Sequence, residues 1–236
     1  MVIRRDGYSL KYFPNSFFDD LFINPKMIRD DEVFLAKYLK KGDVYVDVGA
    51  NIGTTSLRAA VLVGENGRVF AIEPHPVTYA QLITNISLNP YIRSRISPLC
   101  LAMGVTKGEL HMTDMLANDA NYVTDKGSIP VKVETLDAIF GDEPKIDLLK
   151  IDVEGFEKFV LEGGAETLKK THQIYFEGYE KQYERAGYSF TDIRALLFEA
   201  GFSVYLTIAK DKDIVLEALP EDYLPKSVEN FLATRD

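Results

Sequence analysis

The 236-residue sequence has one cysteine and no apolar run of the roughly 18 to 20 residues that cross a bilayer. One cysteine cannot form a disulfide within the chain, and Cys100, in the apolar stretch ISPLCLAM, is expected to be buried. The first residues have the pattern of an amphipathic strand rather than that of a signal peptide. These absences predict a cytoplasmic protein without a membrane span.

Clustered positive charge is also missing. The formal net charge is −9, and the 27 Lys and Arg residues are scattered along the chain. A surface that binds nucleic acid needs grouped positive charge to neutralise phosphates, so no nucleic acid is expected as a partner. No linker and no internal repeat is visible. The sequence predicts a single domain over residues 1–236, with an N-terminal hairpin extension over 1–27.

Strand and helix patterns alternate along most of the chain. A hairpin pattern, VIRRDGYSLKYF, precedes a predicted helix over IRDDEVFLAKYLKKGD, in which acidic residues stand at the positive N-terminal end. Between residues 43 and 179, short apolar strand patterns then alternate with helical ones. This order predicts an α/β fold with a mostly parallel sheet and helices on both faces.

Two regions depart from this alternation. Residues 108–134 are predicted to form a hairpin and a long polar loop, an insertion of the kind that shapes a substrate site. Near the C-terminus, FSVYLTIA and DIVLEAL are predicted to close the sheet as an antiparallel pair. A last helix is predicted over SVENFLATR.

The strongest local signal is a glycine-rich turn after the first apolar strand, followed by an acid that ends the next strand. Asp47, Gly49, Asn51 and Gly53 form the turn, and Glu73 follows Gly49 by 24 residues. Glycines let the backbone turn sharply and let a ligand lie against it. An acid at this place can accept hydrogen bonds from both hydroxyls of a ribose. The spacing therefore predicts a cofactor that contains adenosine.

Two residues of the turn bear on which cofactor this is. Nicotinamide enzymes usually carry G-x-G-x-x-G, and here Asn51 stands where the second glycine would be. Asp47 adds a negative charge that repels phosphate and suits the ammonium and sulfonium groups of S-adenosylmethionine. The pattern favours S-adenosylmethionine over a nicotinamide-dependent dehydrogenase. A purely structural interpretation has Asp47 capping the turn and Glu73 as a solvated strand end.

A second group of ionisable residues lies in the strand pattern KIDLLKIDVEG. Lys150, Asp152 and Glu154 start on one side of this strand, because side chains alternate between its faces. In open α/β sheets ligands bind at the carboxyl ends of the strands, where Asp152 and Glu154 are expected, with Glu177 from the next strand. They could serve as a catalytic base or hold a divalent ion. Alternatively, they form an ion pair with Lys150 and cap the following helix.

From about Glu32 to about Gly178 the sequence resembles the FkbM family of O-methyltransferases. The matching stretches are GDVYVDVGANIGTTSL, GRVFAIEPHPVTYAQLITNISLN, VETLDAIF and IDLLKIDVEGFEKFVLEGGAETL. The resemblance implies a Rossmann-like class I methyltransferase with a seven-stranded, mostly parallel sheet and an antiparallel last strand. His75 departs from the family, which more often has asparagine there. The family's cofactor motif falls on Asp47, Gly49, Asn51, Gly53 and Glu73, and its second signature on Lys150, Asp152, Glu154 and Gly155.

The resemblance also implies methyl transfer from S-adenosylmethionine to a hydroxyl of a small molecule or saccharide. An alcohol needs a base that takes its proton, and Asp152 or Glu154 is predicted to be that base, oriented by Lys150. A metal-free site is preferred, although the carboxylates would suit Mg²⁺ or Ca²⁺. A catalytically silent module that binds S-adenosylmethionine is a further alternative.

Overall fold

The computed structural model describes residues 2–11, 13, 25–115, 121–124, 126–211 and 213–235, and within 25–29 the backbone alone. Its strands are β1 (Val2–Arg5), β2 (Tyr8–Lys11), β3 (Val44–Val48), β4 (Arg68–Ile72), β5 (Ile96–Leu99), β6 (Ala102–Met103), β7 (Gly108–Met112), β8 (Ile129–Glu134), β9 (Ile146–Ile151), β10 (Thr171–Gly178), β11 (Ser203–Lys210), β12 (Asp213–Ala218) and β13 (Glu229–Thr234). Its helices are α1 (Pro25–Tyr38), α2 (Thr54–Val63), α3 (Pro76–Ser87), α4 (Leu136–Phe140), α5 (Glu157–Glu162), α6 (Ala165–Lys169), α7 (Glu180–Ala186) and α8 (Phe190–Glu199). No helix in the described ranges has both the length and the apolar character needed to span a membrane.

The main sheet has the strand order β12-β11-β13-β10-β9-β3-β4-β5. The run from β10 to β5 is parallel throughout. β13 lies antiparallel to both β10 and β11, and β12 lies antiparallel to β11. The predicted Rossmann-like fold with a mostly parallel sheet is confirmed. Among the described residues the sheet has eight strands rather than the predicted seven.

The additional strand is β13, which lies within the segment SVENFLATR. The prediction of a helix there is therefore wrong. Phe231, Leu232 and Ala233 are consecutive in sequence and all buried, because helices cover both faces of the sheet at this strand. A continuous apolar run is typical of such a central strand, and periodicity alone cannot distinguish it from a short buried helix. The predicted antiparallel pairing of β11 with β12 is confirmed.

Helices bury one apolar cluster on each face of the main sheet. α1, α2 and α3 cover one face, where Tyr45, Leu148 and Tyr175 project from β3, β9 and β10. The helices from α4 to α8 cover the opposite face. Side chains alternate along each strand, so Asp47 and Lys150 share the face that α1 covers. This face places polar groups of three neighbouring strands beneath one helix.

The N-terminal hairpin packs against α2 and α3, whereas α1 lies directly on the main sheet beside α2. β1 and β2 pair antiparallel, as predicted, and the side chains of Asn85 in α3 and of Asn89, two residues after α3 ends, accept hydrogen bonds from the backbone of β2. α1 begins at Pro25, so the acidic residues do not stand in its first turn, and that prediction is wrong. Proline suits a first helical position because its missing N–H is not needed there. Residues 14–24, part of the predicted extension, lie outside the described residues.

A second, small sheet of order β6-β8-β7 lies between β5 and β9 in the chain. β7 and β8 pair antiparallel, which is the hairpin predicted within residues 108–134. Of the predicted polar loop, residues 116–120 and 125 lie outside the described residues. Cys100 follows β5 at the point where the chain leaves the main sheet, and it is exposed there rather than buried as predicted.

Candidate functional site

The glycine loop, residues 49–53, joins β3 to α2 at the carboxyl end of β3. Gly49, Asn51 and Gly53 all have positive φ, at 85°, 51° and 92°. A Cβ added to Gly49 would stand 1.8 Å from the carbonyl oxygen of Asp152. Glycine is therefore required at position 49 by the close approach of the neighbouring strand end as well as by the backbone conformation.

Glu73 lies at the carboxyl end of β4 and contacts the glycine loop. Its Oε2 accepts a hydrogen bond from the Asn51 amide at 3.0 Å, and its Oε1 accepts one from the His75 amide at 2.9 Å. The residue is buried, and burial, opposed by these two hydrogen bonds, raises the pKa of Glu73 to about 7. Each carboxylate oxygen can accept a further hydrogen bond, so the group can still bind a hydroxyl.

Asp47, the first residue of the predicted cofactor motif, is 0% exposed. Its Oδ2 accepts hydrogen bonds from Thr55 Oγ1 at 2.8 Å and Ser56 Oγ at 2.5 Å. Its Oδ1 lies 3.5 Å from the Lys150 ammonium. The carboxylate thus connects β3 to the first turn of α2. Because it is fully buried, it can act on a ligand only by long-range electrostatic attraction and not by direct contact.

Lys150 lies in a row of polar residues that crosses three strands. In the register of the sheet it is opposite Asp47 on β3 and opposite Tyr175 on β10. Its Nζ lies 2.9 Å from Asp152 Oδ2. Burial acts to lower the pKa of Lys150, but the negative charges of Asp152, Asp47 and Asp31 outweigh burial and raise it above its usual value. Lys150 is therefore an ammonium at neutral pH and cannot act as a base.

Asp152, Glu154 and Glu177, here called the acidic rim, lie at the carboxyl ends of β9 and β10. One carboxylate oxygen of each lies within 4.8 Å of the others. Gln182 Nε2 donates a hydrogen bond of 2.6 Å to Glu154 Oε2. Burial, followed by the charges of Asp152 and Glu154, raises the pKa of Glu177 well above its usual value. Three carboxyl groups at this separation can share a proton or hold a divalent cation.

Residues 47–204 match the family described as the methyltransferase FkbM domain. The chain belongs to this family. It is 28% identical to the hexuronic acid methyltransferase AglP of Haloferax volcanii over 92% of this chain and 87% of that protein. It is 27% identical to the 2-O-methyltransferase NoeI of Sinorhizobium fredii over 61% of this chain and 66% of that protein. The solved structure of the methyltransferase FkbM from Methylobacillus flagellatus has the same fold, with a TM-score of 0.54 and 18% identity over 81% of this chain and 43% of that one.

This member of the FkbM family is an S-adenosylmethionine-dependent methyltransferase, and the alternative of a nicotinamide-dependent dehydrogenase is wrong. The fold brings the predicted cofactor residues together at the carboxyl ends of β3 and β4. A buried carboxylate with unused hydrogen-bonding capacity, Glu73, lies beside a loop whose first position leaves no room for a side chain. These two features fit the ribose and the backbone approach of S-adenosylmethionine.

Glu157 supports the turn that follows β9, a role that sequence analysis missed. Its Oε1 accepts hydrogen bonds from the Val153 amide at 3.0 Å and the Gly155 amide at 3.4 Å. Burial, the largest influence, raises the pKa of Glu157 to about 7. Among the described residues no side chain caps the start of α5, so the cap that the structural interpretation assigned to Asp152 or Glu154 is wrong, and Glu157 instead holds the turn that precedes the helix. An acid in the first turn of a helix directly after a strand end is the signal that could have found it.

Two contacts around the acidic rim come from elements that no sequence pattern connects to it. Tyr175 donates a hydrogen bond of 2.9 Å to Asp31 of α1. On the other side, the Arg185 guanidinium donates to the Glu154 carbonyl oxygen at 2.6 Å and lies 3.8 Å from the centroid of the Tyr122 ring. Arg185 is exposed, and it joins α7 to the insertion of residues 108–134.

Proposed function

We propose that this methyltransferase methylates a hydroxyl oxygen of a saccharide and that Asp152 is the base. The proposal is carried by the position of the acidic rim, at the carboxyl ends of adjacent strands and against the glycine loop. S-adenosylmethionine supplies a methyl group on a positively charged sulfur, and S-adenosylhomocysteine and a methyl ether are the products. Asp152 takes the hydroxyl proton as the acceptor oxygen forms its new bond to carbon.

Within the acidic rim, whose three side chains are all partly exposed, the partners of each carboxylate favour Asp152 over its two neighbours. The Asp152 side chain is 35% exposed, and its Oδ2 forms an ion pair of 2.9 Å with the buried Lys150 ammonium. Lys150 is thus a positioning residue, which orients the carboxylate without contacting the acceptor. Glu154 is held by Gln182. Burial, followed by the charges of Asp152 and Glu154, raises the pKa of Glu177 well above its usual value, which disfavours its ionised form and makes it a weaker candidate for the base.

On the cofactor side, we propose that Gly49, Asn51 and Gly53 shape the surface against which S-adenosylmethionine lies. Glu73 accepts hydrogen bonds from the ribose hydroxyls. Asp47 acts indirectly, through its ion pair with Lys150 and its bonds to the start of α2. The motif residues therefore divide into three that shape the loop, one that contacts the ribose and one that holds the scaffold.

Glu73→Ala is expected to weaken S-adenosylhomocysteine binding by about 1.5 to 3 kcal/mol, the range for hydrogen bonds to a charged group. Ribose hydroxyls donate to the ionised carboxylate, and burial raises the pKa of Glu73 to about 7. Affinity should therefore increase as the pH rises through 7 and level off above it. Calorimetry from pH 6 to 8.5 measures both effects, and Glu73→Gln should flatten the pH dependence near 7. Unchanged affinity in the alanine variant would overturn the ribose assignment.

For the acceptor, the structure favours a saccharide with an acidic group. Two relatives carry names that state hexuronic acid and 2-O methylation. The acidic rim would repel a carboxylate, and Arg185 provides an exposed positive charge beside it, held by Tyr122 and the Glu154 carbonyl. A guanidinium has five N–H donors, so Arg185 retains donors for a carboxylate of the acceptor.

The acceptor is tested with labelled S-adenosylmethionine and two probes, 4-nitrophenyl β-D-glucuronide and 4-nitrophenyl β-D-glucoside. Methyl transfer to the glucuronide with the lower KM is expected. Arg185→Met should raise the KM for the glucuronide about tenfold and leave the KM for the glucoside unchanged, because only the former loses a charged hydrogen bond. An equal rise for both would show that Arg185 is structural. Absence of transfer to every glycoside would count against a saccharide acceptor, or against catalysis by this chain.

Two further parts of the proposal rest on the sequence. The net charge of −9 and the scattered basic residues support an acceptor other than nucleic acid. Tight, salt-sensitive retention of bulk RNA would contradict it. A cytoplasmic location stays a prediction, and so does the organisation as one domain over 1–236 with an insertion that shapes the acceptor site.

A further inference from the structure

Asp31 of α1 lies above the row formed by Asp47, Lys150 and Tyr175. The Tyr175 hydroxyl donates to Asp31 Oδ1 at 2.9 Å. Phe34, one helical turn further along α1, stacks on the Tyr175 ring with 3.7 Å between centroids. Two independent contacts thus hold this turn of α1 against the centre of the sheet. Asp31 lies outside the residues 47–204 that match the family, so the family match assigns it nothing.

Negative charge exceeds positive charge around Lys150. Its ammonium lies 2.9 Å from Asp152 and 3.5 Å from Asp47, and Asp31 also interacts with it electrostatically. The single positive charge of Lys150 therefore interacts with three carboxylates in largely buried surroundings. An excess of buried negative charge is costly unless a further cation balances it.

Of these three carboxylates, Asp31 has the unused capacity to receive a cation. Asp47 is fully buried and already binds Thr55 and Ser56. Asp152 is bound by Lys150. Asp31 is partly exposed, and among the described residues its side chain accepts a hydrogen bond from Tyr175 alone. Burial is also the main reason that the pKa of Asp31 is raised to about 6, as expected for a carboxylate without a full ionic partner.

The strand order indicates which cation reaches Asp31. Glu73 is on β4, the glycine loop follows β3, and Lys150 is on β9, the next strand across. A cofactor whose ribose is bound at Glu73 and which crosses the glycine loop would have its amino-acid end beside β9. That end carries an ammonium group, and Asp31 of α1 is close enough to Lys150 of β9 to interact with it electrostatically.

We propose that Asp31 binds the ammonium group of the amino-acid end of S-adenosylmethionine. This role rests on the cofactor site proposed above. It makes α1 part of the cofactor site and explains why a third carboxylate lies close to those of Asp47 and Asp152.

The test compares two ligands by calorimetry on the full chain. S-adenosylhomocysteine has the amino-acid end, and 5′-methylthioadenosine has the same adenosine without it. Asp31→Asn should weaken S-adenosylhomocysteine about ten- to a hundredfold and leave 5′-methylthioadenosine unchanged, because a charged hydrogen bond is lost only in the former. Asparagine still accepts from the Tyr175 hydroxyl, so α1 should stay in place.

Three further measurements separate the possible outcomes. Asp30→Asn, one residue earlier in α1, is the matched control and should change neither affinity. Tyr175→Phe keeps the ring that stacks on Phe34 and removes the hydroxyl that positions Asp31, so it should produce a smaller loss for S-adenosylhomocysteine alone. Glu73→Ala should weaken both ligands, since both contain the ribose.

If Asp31→Asn lowers the affinity for both ligands equally, or for neither, the proposed role of Asp31 is wrong. The proposed cofactor site would not be affected by that result. Wild-type protein that binds neither ligand would overturn the cofactor site, and the role of Asp31 with it.

Discussion

Asp152→Asn is expected to lower turnover by about 10² to 10⁴, the usual range for loss of a general base. Asparagine has nearly the size of aspartate and can still accept a hydrogen bond from Lys150, so S-adenosylhomocysteine should bind almost normally. Single-turnover transfer of a labelled methyl group to the glucuronide, with calorimetry on the same preparation, measures both quantities. The expected result is a large loss in the rate of methyl transfer with little change in cofactor affinity.

Other roles of Asp152 predict different results. As a purely structural partner of Lys150, it would leave a buried charge uncompensated when replaced, so thermal stability would fall while activity per folded molecule survived. If the acidic rim holds a divalent ion, EDTA should abolish wild-type turnover and Mg²⁺ should restore it. A metal-free base is indifferent to chelation.

Asp147→Asn is the matched control, because Asp147 is also an ion-paired aspartate of β9. It lies 2.8 Å from Lys145, near the start of the strand and far from the acidic rim. This variant should keep its turnover per folded molecule. A stable, cofactor-binding Asp152→Asn, Glu154→Gln double variant with undiminished turnover would remove both residues from the mechanism and direct attention to Glu177.

Gly49→Ala is expected to lower the free energy of unfolding by about 2 to 5 kcal/mol, from a left-handed backbone and an overpacked contact together. The new Cβ would stand 1.8 Å from the Asp152 carbonyl oxygen, so β3 and β9 must move apart at their carboxyl ends. The glycine loop and the acidic rim lie at those ends. Affinity for S-adenosylhomocysteine should therefore fall together with stability, as measured by urea unfolding and calorimetry.

Gly187→Ala is the control that separates the cost of backbone strain from the cost of the contact between the new Cβ and the Asp152 carbonyl oxygen. Gly187 has φ of 86°, almost the same as Gly49, and apart from its two chain neighbours no described residue lies within 4 Å of the position of an added Cβ. Only the strain should appear, at about 1 to 2 kcal/mol, with cofactor affinity unchanged. Equal destabilisation in the two variants would show that the contact with Asp152 does not limit the packing of the strand ends.

The sequence by itself determined the class of fold and located the glycine loop and the acid at the end of the next strand, which we propose to bind the cofactor. Apolar strand patterns alternating with helical ones predict a parallel sheet, because each pattern is local and each element must bury its own apolar face. The glycine loop and Glu73 are recognisable for a similar reason. A turn with positive φ at Gly49 and Gly53 and an acid at a strand end are requirements of single positions.

Only the tertiary structure decided which polar groups meet. Asp31 looked like a helix-end acid, and Asp47 like a residue that faces the cofactor. In the fold Asp47 is buried, while Asp31 receives a hydrogen bond from Tyr175, 144 positions away. The strand β13 is likewise explained by helices packed on both of its faces. Contacts between distant segments leave no local pattern, because they depend on register and on the packing of whole helices against the sheet.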